Sequence, residues 1–150
     1  MKLNVGQRQF VERLGQTMVG WGLSRTMGRT YAYLLLRADA ASLDEIAAEL
    51  AVAKSGASVA ARHLVAVGLA RPVGERGTRR IRYEALLDIE AVFAARNAQT
   101  RVFLEHVREG AAVAPAGHAR RQLTLVGSQI EELLVELPAL VKRIRERRRS

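Results

Sequence analysis

Residues 42–83 read SLDEIAAELAVAKSGASVAARHLVAVGLARPVGERGTRRIRY, and the architecture follows from this stretch. Ser42-Leu43-Asp44-Glu45 is a capping box, with the acid three residues after the serine. It predicts a short helix with Leu43, Ile46, Ala47 and Leu50 on one side. A brief turn from Ala51 to Lys54 follows. Ser55 is placed to cap a second helix running to about Val67, with Gly68 as its C′ residue. Leu69 to Val73 then reads as a strand, Gly74 to Gly77 as a polar turn, and Thr78 to Tyr83 as the returning strand. Ile81 and Tyr83 are expected on one face of it and Arg80 and Arg82 on the other. Pro72 suits an edge strand. Two short helices joined by a tight turn, then a basic hairpin, describe a winged helix-turn-helix.

Such a motif lays its second helix in the DNA major groove and its hairpin, the wing, along the backbone or minor groove. Ala57, Ala61, Leu64 and Gly68 recur at helical steps and should face the core. Lys54, Ser55, Ser58, Val59 and Arg62 are left outward as candidate major-groove residues. Arg62 can bridge guanine O6 and N7, and Val59 can meet a thymine methyl. Between residues 71 and 82 stand five arginines, Arg71, Arg76, Arg79, Arg80 and Arg82, against the single Glu75. These are the candidate wing and backbone contacts.

Outward from this motif the chain reads as helix. Asn4 to Trp21 carries Phe10, Val11, Leu14, Met18 and Val19 at amphipathic spacing. Ser24 caps a further helix with Met27, Tyr31, Leu34 and Leu35. Beyond Glu84, the positions of Leu86, Ile89, Phe93, Val102, Phe103 and Val107 predict a long helix. Gly110 to Gly117 reads as a break. A final helix carries Leu123, Val126, Ile130, Leu133 and Leu137, with Pro138 interrupting it or starting a last piece. The fold class is therefore mainly α with a small β-hairpin wing, a winged helix-turn-helix flanked by additional N- and C-terminal dimerisation helices. Residues 22–84 form the expected DNA-binding domain, and residues 4–21 with 85–148 the expected dimerisation region.

The chain of 150 residues carries 24 Lys and Arg against 15 Asp and Glu, a formal charge of +9. All but three of those cations are Arg, the side chain suited to planar phosphate and guanine partners. A polyanionic partner follows. Zero cysteine excludes disulfides, zinc fingers, iron–sulfur ligation and thiol switching. His63, His106 and His118 are dispersed, and no phosphate loop, H-E-x-x-H or nucleophile elbow occurs. No enzyme, metal or cofactor is expected. Without an apolar run of membrane length or a signal core, the reading is a cytoplasmic protein, nucleoid-associated when bound to DNA.

Three stretches carry a family resemblance: Gly22-Leu23-Ser24-Arg25-Thr26-Met27-Gly28-Arg29-Thr30-Tyr31, Leu43 to Leu69, and Glu131-Glu132-Leu133-Leu134 with Glu136-Leu137-Pro138-Ala139-Leu140. The chain resembles the MarR superfamily of winged-helix transcriptional regulators, and more closely its GbsR-like branch. The resemblance implies a homodimer bound to a palindromic double-stranded operator, usually as a repressor. It puts Lys54, Ser58 and Arg62 where family members contact DNA, and residues 76–80 in their wing. Ala57 and Ala61 depart from the larger apolar residues often found there. A small-molecule effector is also implied, with Met18, Trp21, Tyr31 and Phe93 as candidate pocket walls. Two other readings stand beside this one: a low-specificity architectural or nucleoid-type DNA-binding protein, and a winged-helix protein-interaction module. The basic end, Arg143, Arg145, Arg147, Arg148 and Arg149, fits either DNA attraction or a solvated helix terminus.

Overall fold

A computed structural model describes residues 1–86 and 89–150, apart from the side chains of residues 89, 91–93 and 95. The elements run α1 (Val5–Val19), α2 (Arg25–Leu36), β1 (Ala41–Ser42), α3 (Leu43–Leu50), α4 (Lys54–Ala66), β2 (Ala70–Gly74), β3 (Ile81–Ala85), α5 (Ile89–Val113) and α6 (His118–Arg149). The chain divides into two compact units, 1–88 and 89–150. The first is a winged helix-turn-helix with α1 packed on α2; the second is the pair α5–α6.

Local chemistry sets the boundaries in the first unit. Asn4 caps α1 in a reciprocal box with Gln7. The Ser24 hydroxyl accepts from the Met27 N–H and starts α2. Ser42 likewise accepts from the Glu45 N–H. The reciprocal half of the expected capping box is not made, because the Glu45 carboxylate turns to Arg37 and Arg82 instead. Helix α3 ends with Ala51 in the left-handed region at φ 53°, a position usually given to glycine. Helix α4 ends in a Schellman motif: the Gly68 N–H donates to the Val65 carbonyl and the Leu69 N–H to the Leu64 carbonyl, with Gly68 at φ 79°.

Three expectations are corrected here. Helix α4 starts one residue before Ser55, with Ala53 in the cap position and no side-chain cap bond. The hairpin belongs to a three-stranded antiparallel sheet of order β1-β3-β2. Two-residue β1 pairs Ala41 with Tyr83, so β3 is central and β2, with Pro72, is an edge. Tyr83 is buried as expected, but Ile81 is 49 % exposed, since β3 has left the core by the time it reaches the turn.

The core of this unit is built on Tyr33, Met18, Ile46, Leu64, Val11 and Thr30, all fully buried. Ala57, Ala60 and Ala61 are buried on α4. Their small side chains let α4 lie close to α2 and α3. Helices α1 and α2 meet closely at Gly15 and Gly28, where a Cβ on Gly28 would stand 2.7 Å from the Gly15 Cα. Phe10 and Val19, expected on the buried side of α1, are exposed.

In the second unit α5 runs four residues into the anticipated break, to Val113, and the break itself falls at residues 114–117. Helix α6 continues through Pro138. Among the described residues Leu104, Ile130 and Leu134 form a core cluster, with Val107 packed against it. Arg108 pairs with Glu131 and Arg145 with Glu90, each at 2.9 Å. Leu133, expected on the buried stripe, is exposed; Leu134 takes that place.

Candidate nucleic-acid interface

The outward side of α4 carries the expected residues. Lys54, Ser55, Val59 and Arg62 are exposed and Ser58 is half-buried. The Arg62 Nε donates to the Ser58 carbonyl at 3.4 Å, one turn back, leaving the rest of the guanidinium unpaired among the described residues. Lys54 Nζ sits 3.0 Å from Asp44 Oδ1, so its charge is partly offset by α3. No side chain caps α4, so its first-turn N–H groups lack a side-chain acceptor among the described residues. A shallow cavity of about 350 Å³ opens beside them, lined by Ser24, Thr26, Ser55, Gly56, Val59 and Ala60.

The five wing arginines separate into two groups. Arg76, Arg79 and Arg80, at the tip, are exposed, and none takes part in an ion pair among the described residues. The tip is shaped by Gly77 at φ 80° and by the Thr78 hydroxyl, which accepts from the Arg80 N–H. Arg71 and Arg82, on the strands, are paired. Arg71 bonds Glu84 on the neighbouring strand. Arg82 bonds Glu45 Oε1 at 2.9 Å and the Ala40 carbonyl at 3.3 Å, which joins the wing to α3.

Glu45 is the junction of that link. Its second oxygen lies 2.7 Å from Arg37, whose side chain is only 5 % exposed. Arg37 also donates to the Tyr33 hydroxyl at 2.8 Å and to Asp39 Oδ1 at 2.9 Å. Burial works against the Arg37 charge, but Tyr33, Glu45 and Asp39 outweigh it and hold the guanidinium pKa above its ordinary value. Nothing in the sequence marks this network: Arg37 stands in a polar break, and Glu45 occupies a capping position. The backbone role of Glu45 is local in sequence, whereas its carboxylate reaches long-range partners.

The four anticipated pocket residues have separate settings. Met18 is sealed in the α1–α2 core. Trp21 is 58 % exposed in the following turn. The Tyr31 hydroxyl donates to the Leu86 carbonyl at 3.3 Å, and burial raises its pKa. The Phe93 side chain lies outside the described residues. Among the described residues no cluster of His, Asp or Glu could hold a metal ion. No helix among them is long and apolar enough to cross a membrane.

Among solved structures, the chain is similar to a crystal structure of a transcriptional regulator, with a TM-score of 0.85 and 22% identity over 94% of this chain and 99% of that one. At that identity the likeness establishes a shared fold. MepR, a transcription regulator of the Staphylococcus aureus multidrug efflux pump MepA, aligns at a TM-score of 0.44 and 17% identity over 87% of this chain and 91% of its own. The MepR–DNA complex gives 0.43 at 17% identity over 87% and 90%. These two scores are too low to carry an argument. No family model matches the sequence, and no curated protein matches it.

Proposed function

We propose that the chain is a sequence-specific, double-stranded DNA-binding transcriptional regulator of the MarR kind, in its GbsR-like branch, acting as a homodimeric repressor released by a small-molecule effector. The observation that carries this reading is the separation of the wing arginines. Arg71 and Arg82 serve the sheet, while Arg76, Arg79 and Arg80 at the tip have no ion pair among the described residues. On the same unit α4 presents Ser55, Val59 and Arg62 with an uncapped N-terminus. Base edges and phosphates are the partners that such a helix and such a tip satisfy together.

Dimerisation is supported by the second unit. Val102, Phe103, Leu125, Leu133 and Val135 are each half or more exposed on α5 and α6. Apolar residues in that number call for cover. A two-fold pair would present two copies of α4 to two half-sites of a palindrome.

The test is selection of binding sites from random duplexes, followed by affinity for the selected site against random DNA. A selected palindrome bound at least about a thousandfold more tightly is expected. A ratio near one would overturn the specific regulator in favour of a low-specificity DNA-binding protein. Light scattering during size-exclusion checks the dimer.

A further inference from the structure

The last turns of α6 hold six cations, Lys142, Arg143, Arg145, Arg147, Arg148 and Arg149, with Glu146 the one carboxylate among them. Arg145 is paired with Glu90 at 2.9 Å. Arg143, Arg147, Arg148 and Arg149 are exposed, and no carboxylate pairs with them among the described residues. The same unit does pair an arginine where it packs, at Arg108–Glu131.

A helix dipole explains cations in the final turn, at residues 147–149, and loses force beyond it. It does not account for Lys142 and Arg143. Moreover, Arg143 with Arg147, and Arg145 with Arg149, are like charges four apart, a spacing that opposes helix formation. Glu146 is spaced to offset Lys142, Arg143 and Arg149, yet one carboxylate to six cations leaves helix stability a weak account of this cluster. The pair Arg145–Glu90 holds it beside the first turn of α5.

From this we propose that the basic end of α6 is a second DNA-binding surface, engaging the duplex backbone through phosphate and without sequence preference. The inference rests on the DNA-binding reading above. Guanidinium groups match phosphate oxygens in planar, two-pronged geometry. A membrane surface fits less well, because residues 138–150 contain no Trp, Tyr or Phe to anchor an interfacial helix.

The test uses the full chain and a random-sequence duplex several helical turns long, titrated between about 50 and 200 mM KCl. One variant carries Arg→Gln at Arg143, Arg147, Arg148 and Arg149. A second carries Arg→Lys at the same four positions. A third carries Arg→Gln at Arg76, Arg79 and Arg80. The Gln variant of α6 should bind at least about tenfold more weakly at low salt. Its plot of log affinity against log salt should be shallower by up to about 3.6 per protomer, roughly 0.9 for each phosphate no longer neutralised. The Lys variant keeps the charge and should keep the slope. An α6 Gln variant equal to wild type in affinity and slope, beside a weakened wing variant, overturns the inference and leaves the DNA-binding reading intact. So does a Lys variant whose salt slope falls as far as that of the Gln variant. A wild-type chain that does not bind duplex overturns the reading and the inference with it, and a wing variant that binds unchanged overturns the reading. Binding to phosphatidylserine vesicles that only the α6 Gln variant loses, with its DNA slope unchanged, assigns the cluster to a membrane and overturns the inference too.

Discussion

Two glycine-to-alanine substitutions should move stability in opposite directions. At Gly28 an added Cβ would stand 2.7 Å from the Gly15 Cα, 3.0 Å from the Gly15 carbonyl oxygen and 3.1 Å from the Met18 Cβ. Carbon atoms pack comfortably at about 3.5–4.0 Å. Two of those three neighbours are backbone, which a rotamer change cannot move. Helices α1 and α2 must therefore separate by roughly 1 Å, which also loosens Val11 and Met18. Overpacking of this kind costs about 1–3 kcal/mol, against about 1 kcal/mol returned by the better helix former. A net loss of up to about 2 kcal/mol follows for Gly28→Ala. At Gly56, in the first turn of α4, an added Cβ meets nothing within 4 Å. There the backbone gain stands alone, so Gly56→Ala should stabilise by about 0.5–1 kcal/mol. The assay is urea unfolding of the full chain followed through Trp21, the sole tryptophan, which lies just beyond α1. The midpoint should fall for the first variant and rise for the second. If Gly28→Ala unfolds at or above the wild-type midpoint, the close crossing of α1 and α2 is refuted.

Other outcomes follow from single side chains. Thr30 is fully buried and its hydroxyl has no hydrogen-bond partner among the described residues, so Thr30→Val should raise stability by about 1 kcal/mol in the same titration; a destabilised variant would show that the hydroxyl is bonded. Burial raises the Glu12 pKa, but hydrogen bonds and charge from Arg25 and Arg29 outweigh it, leaving it below 4.5. The folded value is the lower one, so this contribution is present above the ordinary carboxylate range and is lost as pH falls through the folded value. Glu12→Gln should flatten the loss of stability measured below pH 4.5, and an unchanged profile would mean that Glu12 contributes nothing to it. Asp44 offsets the Lys54 charge across an exposed ion pair, so Asp44→Asn should tighten duplex binding by up to about fivefold, consistent with at most about 1 kcal/mol for such pairs. Weaker binding by this variant would mean that Asp44 orients Lys54 rather than competing for it.

The winged helix-turn-helix was legible because its signals are local. The serine cap of α3, the alanine stripe of α4, the glycine after it and the turn at Gly77 each act within a few residues. The same locality explains the misreadings. Two-residue β1 leaves no periodic trace and forms only because β3 arrives beside it from about forty residues away. Ser55 resembles a cap by residue type, yet the helix begins one residue earlier. Pro138 removes an N–H donor and crowds the preceding turn, which usually ends a helix. Here α6 is held on both sides of it, by Ile130 and Leu134 before and by the Arg145–Glu90 pair after. Of the candidate interface, charge and exposure were readable in order along the chain. The division of the wing arginines into paired and unpaired was not, because Glu45 and Glu84 reach them from other elements.

The bare start of α4 has a consequence for the motion of the free chain. The N–H groups of Lys54, Ser55 and Gly56 precede the first intrahelical bond, made by the Ala57 N–H to the Ala53 carbonyl at 2.9 Å, and no side chain caps them among the described residues. Their hydrogens exchange with solvent ahead of those deeper in the helix. A phosphate oxygen seated there would supply the missing cap. Ligand and helix terminus would then order one another, and a turn open to exchange in isolation would become protected by its partner.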